Sequence, residues 1–460
     1  MCRILTCRLS LFVLICAAFL FACSCKRDTS VPPEVAGITS AYGTENNEAI
    51  QHLLSDANDG VLALGYIDLG GLPGLLSMRV DDGGYTPWGA TSSLQFGQQT
   101  SRLSCFGFKR NDAGTPWAAV AYKTGFGIGP MATDGTIPQL FQIKIEPELI
   151  KSHPISRVSG GGFCKGPSGD FYLAGNTYDD RENDDALILR VNSSGQLLWA
   201  YSYDADNARE YFTDVVDTDD GSCMAVGFAI TDNQNPELLL VSIGQDGQVR
   251  SSQRFASNYA LTDAKIKRTP TGFAIVAQAT LNIGPKQNIA LLTTDGGGNI
   301  AQAQMIEAAG RLTPKSLIPV GDGWALTGNY EPESLDQGTD AFWIRTDASL
   351  NPNAAFHIGA RGIETGNDLA TTERGGFWLG GSAESFSPSS DFLLIRVNDR
   401  LESRCHQKSL VTQTNSLSLA PKPNTIVARQ LNYWKSETIQ MIVRTNISRN
   451  RPGSAQPCSN

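Results

Sequence analysis

Short apolar stretches recur along the chain, and a turn signal with glycine precedes each of them. The glycines that open these stretches are Gly60, Gly114, Gly169, Gly221, Gly272, Gly323 and Gly376. A second apolar stretch follows each glycine-led one, for example at 187–191, 239–243 and 393–397. Equivalent positions repeat at intervals of about 50 residues, a period typical of repeat proteins in which each unit forms one small sheet.

Each unit contains four short stretches separated by turn signals such as the Gln-Asp-Gly that ends at Gly247. This spacing is typical of strands joined by hairpins. The third stretch is apolar over consecutive residues, as at 392–395, which requires both faces of its sheet to be covered. Radially stacked blades cover both faces, so the sequence predicts an all-β fold, a β-propeller of four-stranded blades.

The number of blades depends on a weak last copy of the repeat. Residues 440–446 match the third stretch, and residues 425–431 occupy the place of the glycine-led stretch. The tail 448–460 contains two prolines and cannot supply a fourth strand, whereas residues 38–49 resemble the end of a unit. We therefore expect eight blades, with seven as the alternative, and an N-terminal strand that closes the last blade near Gln440.

The first residues have the pattern of a targeting segment. Arg3 and Arg8 precede an apolar run at 9–22, which is shorter than the roughly 20 residues that span a bilayer. The run ends in Leu-Phe-Ala-Cys at Cys23, which resembles the cleavage motif of bacterial lipoproteins, and Cys25 is a rival acceptor. An ordinary secretory signal with an unmodified cysteine is the alternative.

The expected organisation follows from these segments. Residues 1–22 are a lipoprotein signal peptide, 23–35 a polar tether, 36–447 a single propeller domain and 448–460 a C-terminal tail. Acyl chains such as palmitate on one cysteine would hold the domain at a membrane, because each buried methylene contributes about 0.8 kcal/mol.

Composition and net charge indicate a globular protein and argue against one class of partner. The chain has 460 residues, of which 41% are hydrophobic and 18% charged, and its formal net charge is -9. These values are typical of a globular protein with a large core. A net negative charge without a basic stripe argues against nucleic acid as a partner.

The repeat resembles the propeller repeats of bacterial exported proteins. It is also similar to the quinoprotein-like (PQQ-like) repeat, in which a strand-turn-strand core ends in tryptophan, as residues 189–199 do at Trp199. The resemblance covers about 400 residues. It implies a protein similar in type to the propeller lipoprotein of the machinery that inserts barrels into bacterial outer membranes. Most units here lack the tryptophan.

In a propeller, the first strand of each blade lines the central channel. The polar residues expected there, as channel-facing candidates for binding, are Arg157, Asp214, Asp263, Lys265, Lys315 and Asp368. The alternative is that these side chains cap turns or face channel water. A cation also recurs near the end of the third stretch, where solubility and local ion pairing are expected, at Arg79, Lys144, Arg190, Arg345, Arg396 and Arg444.

An insertion at 122–131 is rich in glycine and contains three large apolar residues. Long loops often carry function, so Phe126, Ile128 and Met131 are candidates for an exposed partner-binding knob. The alternative is a loop folded back over the sheet.

Motifs of known chemistry are missing from the sequence. It contains no G-x-S-x-G, no H-E-x-x-H and no P-loop, and its four histidines are spread over different units. We therefore predict no catalytic residue, no metal site and no cofactor. The expected function is that of a monomeric, lipid-anchored scaffold of the bacterial cell envelope, most consistent with the outer membrane, which binds an outer-membrane or periplasmic protein or a glycan. The alternative is a propeller enzyme, either a glycan-cleaving one or a quinone-dependent oxidoreductase.

Overall fold

A computed structural model describes most of the chain between residues 38 and 445. The described ranges are 38–42, 46–68, 73–93, 103–122, 125–145, 155–166, 168–179, 184–205, 208–231, 235–281, 286–334, 338–359, 362–385, 389–398, 402–403, 407–422, 424–431 and 434–445. The expected signal peptide 1–22, the tether 23–35 with Cys23 and Cys25, and the tail 448–460 lie outside these residues.

The strands form seven antiparallel sheets, which are the blades of a propeller. An N-terminal strand, β1 (Ile38–Tyr42), precedes blade 1, which contains β2 (Glu48–Ser55), β3 (Val61–Asp68), β4 (Pro73–Val80) and β5 (Trp88–Ser93). Blade 2 contains β6 (Ser104–Arg110), β7 (Pro116–Tyr122), β8 (Gly125–Pro130) and β9 (Gln139–Ile145). Blade 3 contains β10 (Ile155–Lys165), β11 (Phe171–Asp179), β12 (Asp185–Val191) and β13 (Leu197–Ala205).

The remaining blades repeat this arrangement. Blade 4 contains β14 (Ala208–Asp217), β15 (Cys223–Thr231), β16 (Glu237–Ile243) and β17 (Val249–Ala256). Blade 5 contains β18 (Tyr259–Arg268), β19 (Gly272–Leu281), β20 (Gln287–Asp295) and β21 (Ile300–Ala308). Blade 6 contains β22 (Arg311–Val320), β23 (Gly323–Glu331), β24 (Asp340–Thr346) and β25 (Pro352–Ile358), and blade 7 contains β26 (Glu364–Thr371), β27 (Phe377–Ala383) and β28 (Asp391–Val397).

The first strand of each blade lies innermost. Each of these strands contacts the innermost strands of the two neighbouring blades, and β26 of blade 7 contacts β2 of blade 1, so the ring is closed. The third strands are buried over consecutive residues because neighbouring blades cover both of their faces, as in β16 and β28. The apolar third stretches of the sequence are explained in this way for every blade except blade 2, whose third strand is β8.

The N-terminal strand completes blade 7, as expected. β1 pairs antiparallel with β28, with Ser40 opposite Leu394, and supplies the outer strand that the last repeat lacks. It does not lie near Gln440, contrary to expectation, because Gln440 pairs with Gln139 at the outside of blade 2.

The expected eight blades are wrong, and the alternative of seven is right. The segment interpreted as an eighth repeat forms no sheet of its own. Instead, the chain after blade 7 runs around the outside of the propeller and adds a fifth strand to six blades. We call this segment, residues 407–445, the belt. Its strands are β29 (Gln407–Ser409), β30 (Thr412–Ser416), β31 (Ala420–Lys422), β32 (Ile426–Gln430), β33 (Trp434–Gln440) and β34 (Ile442–Thr445).

The belt visits blades 6, 5, 4, 3, 2 and 1 in that order, and every belt strand is antiparallel to the outer strand it joins. Sheet twist explains how one continuous segment can do this. Adjacent strands rotate by about 20–25°, so a fourth strand is turned by about 60–75° from the innermost one and runs largely along the circumference. The belt runs around the propeller in the opposite direction and is therefore antiparallel to each of these outer strands.

The belt also fills the grooves between blades. It contributes one buried apolar side chain to each of five interblade cores, namely Leu410, Leu417, Ile426, Trp434 and Met441. Trp434 is 4% exposed, and its ring stacks on that of Phe126 with centroids 5.8 Å apart. No helix in the described part of the chain is long and apolar enough to cross a membrane.

Candidate functional site

Every innermost strand contains a β-bulge near its middle. The pairing register with the second strand shifts between Ile50 and His52 in blade 1, and at the equivalent place in each later blade. A bulge turns the following side chains in a new direction, and here it does so at the same level in all seven blades. The residues directly after the bulges, which we call the inner ring, are His52, Gly107, Gly162, Asp214, Lys265, Ser316 and Asp368.

Two carboxylates of the inner ring bind backbone amides of the next blade. Asp214 Oδ2 accepts a hydrogen bond of 3.0 Å from the amide of Ile266, and Asp368 Oδ2 accepts one of 2.9 Å from the amide of Leu53. The two acceptors occupy equivalent positions in blades 4 and 7, so both join one blade to the following one. This use of the carboxylates is structural.

The second oxygen of Asp368 is also engaged. Ser316 Oγ donates to Asp368 Oδ1 at 2.6 Å, and the amide of Leu369 donates to the same atom at 2.9 Å. Burial is the largest single influence and opposes ionisation of this carboxyl, but His52, the charge of Lys267 and the hydrogen bond from Ser316 together outweigh it and lower the pKa of Asp368 well below its usual range. Asp368 is therefore a fixed negative charge within a closed network, which does not suit a general acid.

Lys265 is the third predicted candidate in the inner ring. Its ammonium donates to the carbonyl oxygens of Thr213 at 2.7 Å and of Gly161 at 3.1 Å, so it links blade 5 to blades 4 and 3. The structure thus places Asp214, Lys265 and Asp368 on one ring, where each bonds to backbone groups of other blades.

The other three predicted residues lie on innermost strands but not on this ring. Arg157 is exposed, and its guanidinium lies 4.1 Å from the centroid of the Tyr178 ring. Asp263 is exposed and has a φ of 49°, in the left-handed region, and it lies within the bulge of blade 5 between Thr262 and Lys265. Lys315 is itself the bulged residue of blade 6.

The predicted partner-binding knob is wrong. Phe126 and Ile128 are 0% exposed and Met131 is 4% exposed, so none of them projects into solvent. Residues 125–130 are β8, the third strand of blade 2, and not a loop. The glycines between the apolar residues reflect close packing, since a Cβ at Gly129 would lie 2.3 Å from the carbonyl oxygen of Gln139.

The recurring cations mostly form local ion pairs, as expected for them. Arg79 contacts Asp56 at 2.6 Å, Arg190 contacts Asp170 at 2.6 Å, and Arg396 contacts Asp59 at 3.3 Å. Two members are not on third strands: Lys144 lies on the outer strand β9, where it pairs with Glu437, and Arg444 lies on the belt. The six cations therefore do not form one ring.

A cleft opens where three consecutive innermost strands end. Its volume is about 480 Å³, and we call it the mouth cleft; it is lined by Ser55, Asp56, Ala57, Arg110, Thr371, Thr372 and Glu373. Arg110 donates to Asp56 Oδ1 at 3.1 Å and to the carbonyl oxygen of Ser55 at 3.2 Å. The sequence analysis missed this site, because its residues follow the repeated strands and come together only through the ring closure of blades 7, 1 and 2.

The described residues contain no group of three or more His, Cys, Asp or Glu side chains that could hold a metal ion. Cys105, Cys164 and Cys223 are buried free thiols. Burial raises the pKa of Cys105 to about 12, so this thiol stays protonated and unreactive.

No protein-family model matches the chain, and no curated protein matches it. Solved structures with a similar fold include a protein of unknown function from Dyadobacter fermentans DSM 18053, at 11% identity and a TM-score of 0.46, covering 79% of this chain and 98% of that one. An endosialidase of phage phi92 matches at 11% identity and a TM-score of 0.45, covering 78% of this chain and 68% of that one. A gluconolactonase from Xanthomonas campestris matches at 12% identity and a TM-score of 0.36, covering 78% and 98%. Similarity at this level concerns the fold alone, which for this chain is a seven-bladed all-β propeller.

Proposed function

We propose that the protein is a non-catalytic binding propeller of the bacterial cell envelope, which presents its mouth cleft to a protein or glycan partner. The observation that carries the proposal is the bonding of the inner-ring carboxylates. Asp214 and Asp368 bind amides of neighbouring blades, so they hold the ring together and are not free to transfer protons. What the channel then offers a partner is a rigid, preformed entrance.

The mouth cleft supports this proposal because its walls are rigid and polar. Arg110 is held by Asp56 and by backbone carbonyls of Ser55 and Gly114, while Glu373 is exposed. Polar groups fixed before binding lose little conformational entropy when a partner arrives. The hydroxyl of Thr372 donates to the carbonyl oxygen of Gly375 and that of Thr371 lies 3.3 Å from Ser55 Oγ, so both oxygens are held in place and offer acceptors suited to sugar hydroxyls or peptide amides.

We further propose that lipid on Cys23 anchors the domain, most consistently at the outer membrane. Labelling of growing cells with an alkyne analogue of palmitate tests this. We expect label on the wild type and on Cys25→Ala, and its loss from Cys23→Ala together with release of that variant from the membrane fraction. Loss of label from Cys25→Ala alone would assign the anchor to Cys25, and an unlabelled wild type would refute lipidation.

The binding function is tested by photocrosslinking in intact cell envelopes. A photoreactive residue at Glu373 probes the mouth cleft, and one at Leu198, which is 47% exposed, serves as the control away from it. We expect a discrete protein or glycan adduct from position 373 and none from 198. Equal products at both positions, or none at 373 in a folded protein, would refute binding at the cleft. New reducing ends from envelope glycans incubated with the protein would show an enzyme instead.

A further inference from the structure

The outer edge of blade 7 differs from that of every other blade. Its sheet contains β1, β28, β27 and β26, whereas each of the other six sheets contains five strands, the fifth supplied by the belt. Within the described ranges, β1 pairs with β28 along one edge and with no strand along the other. An open strand edge can accept a further strand through its amide and carbonyl groups. The fourth strand of blade 7 is thus open at the edge that the belt covers in the other blades.

The belt ends on a neighbour of blade 7 and runs toward blade 7. It visits the blades in descending order, and its strand β34 pairs with β5 of blade 1. Because β26 contacts β2 and closes the ring, blade 7 is the next blade in this direction. β1 is antiparallel to the third strand β28, as the fourth strand of blade 6 is to its own third strand. A continuation of the belt would therefore meet β1 antiparallel, as it meets the other fourth strands.

The chain beyond β34 is long enough for this step. Successive belt strands begin five to eight positions apart, at residues 407, 412, 420, 426, 434 and 442. At this spacing a further strand would begin between residues 447 and 450. The sequence continues to Asn460, and residues 446–460 lie outside the described part of the chain.

The spacing of the groove-filling residues points to Ile447. Intervals of seven to nine positions separate the belt side chains that enter interblade cores, Leu410, Leu417, Ile426, Trp434 and Met441. Ile447 follows Met441 by six positions and is the one large apolar residue in the sequence from 446 to 460. The next groove in the direction of the belt is that between blades 1 and 7. The described members of its core include no belt residue.

Pro452 is compatible with an outermost strand. Proline removes a backbone amide, which an outermost strand tolerates where that amide would face solvent. Belt strand β31 contains such a residue, because Pro421 lies opposite Phe255 at the outside of blade 4. Residues 447–451 precede Pro452 and equal β1 in length. The prolines that argue against a fourth strand in this segment therefore permit a fifth strand.

We propose that residues 447–451 form a seventh belt strand, which pairs antiparallel with β1 and places Ile447 in the groove between blades 1 and 7. β1 is then held along both edges, by β28 and by the belt, and the belt contacts all seven blades. The inference is independent of the proposed function, because no residue that lines the mouth cleft takes part in it.

Amide hydrogen exchange of the purified full chain, followed by NMR at single residues, tests this pairing. Successive amides of a strand point to opposite sides, so β28 protects only every second amide of β1. We expect slow exchange at all amides of β1 in the wild type. At the amides that face away from β28, exchange should be at least tenfold faster in Ile447→Ser and in a chain that ends at Thr445. Ala455→Ser, outside the proposed strand, is the matched control and should exchange as the wild type does.

The outcomes separate the possible occupants of this edge. Fast exchange at the outward amides of the full chain, or protection that is unchanged in Ile447→Ser, would overturn the inference. Protection that disappears on dilution, together with a dimer in light scattering, would assign the edge to a second copy of this chain. A photoreactive residue at Ala41 that captures another protein in intact envelopes, and not residues 447–451, would assign it to a partner strand. If the shortened chain does not fold, Ile447→Ser alone decides.

Discussion

The carboxylate of Asp368 accepts a hydrogen bond of 2.9 Å from the backbone amide of Leu53, and this bond joins the last blade to the first. Asp214 makes the equivalent bond, of 3.0 Å, between blades 4 and 5. A closed ring needs a stable contact between its first and last blades, which we call the seam. The seam of blades 7 and 1 joins segments more than 300 residues apart in sequence. The inner-ring carboxylates therefore hold the architecture together from its centre.

Removing the carboxylate at the seam should destabilise the whole propeller. Asp368→Ala leaves the amide of Leu53 and the hydroxyl of Ser316 without their acceptor. The expected loss in the free energy of unfolding is about 3 kcal/mol, since the lost hydrogen bonds involve a charged group. Urea unfolding measures it, with the exposed Asp322→Ala as control. Equal midpoints for the two variants would contradict the structural role of Asp368.

The lowered pKa of Asp368 also predicts how the free energy of unfolding changes at acidic pH. Because the folded state lowers the pKa of Asp368 below its usual value of 3.8, its stabilising contribution is complete above about pH 4 and is lost as the pH falls further. The difference in unfolding free energy between the wild type and Asp368→Ala should shrink steadily below pH 4. A difference that is constant from pH 6 to pH 3 would show that ionisation of Asp368 contributes nothing.

The pH dependence of stability that Glu210 contributes should have the opposite sign to that of Asp368. Glu210 is 0% exposed on the innermost strand of blade 4, and burial, with the charges of Asp204 and Asp185, raises its pKa from 4.5 to about 7. A carboxyl whose pKa is raised on folding destabilises the folded state as the pH rises above its pKa in the unfolded chain. For Glu210 the loss in the free energy of unfolding between pH 4.5 and pH 7 should reach about 3 kcal/mol. Glu210→Gln should abolish this loss and be more stable than the wild type at pH 8.

Thermal or urea unfolding between pH 4.5 and pH 8 checks the role of Glu210. The control is Glu437→Gln, whose side chain is 50% exposed and should leave the pH profile of the wild type unchanged. If Glu210→Gln retained the full decline in stability above pH 5, another group would be responsible.

The belt should contribute to global stability through its buried side chains. Trp434→Ala removes an indole that is 4% exposed between blades 2 and 3 and should cost about 4 kcal/mol. Val427→Ala, at a belt position that is 52% exposed, should change stability by less than about 0.5 kcal/mol. Hydrogen exchange of β9 amides, read beside the urea midpoints, should accelerate in the first variant and not in the second.

Close approach of two innermost strands gives a further prediction. A Cβ at Gly161 would lie 2.2 Å from the carbonyl oxygen of Phe212, so Gly161→Ala must displace one backbone from the other. We expect a large loss of stability, of about 3 kcal/mol or more. Gly296 has open space around its Cα, so Gly296→Ala should be tolerated, and a similar loss at both positions would exclude close packing as the cause.

The sequence predicted those parts of the fold that repeat. Gly114, Gly169 and Gly221 have φ between 74° and 79°, a conformation that other residues rarely adopt, and so they mark the turn before the second strand in blades 2, 3 and 4. Consecutive burial marks the third strands. Both signals depend on local structure that recurs in each unit, and for that reason they can be detected without coordinates.

The predictions that were wrong concern features that depend on contacts between residues far apart in the sequence. Residues 440–446 have the apolar pattern of a third strand in the sequence, but Met441 of this segment fills a groove between blades 1 and 2, and sequence alone does not separate these two environments. The alternation of Phe126 and Ile128 was a strand signal, but the intervening glycine was interpreted as flexibility. The inner ring arises from the bulges, whose positions are visible only in the pairing register.

The belt also makes the order of events during synthesis matter. It follows all seven blades in the chain, and its last strand pairs with β5, about 350 residues earlier, so the outer edges of six blades stay unpaired until it has been translated. During that interval these edges are open to pairing with other chains. A chaperone that shields strand edges would therefore be needed most just before the final segment emerges.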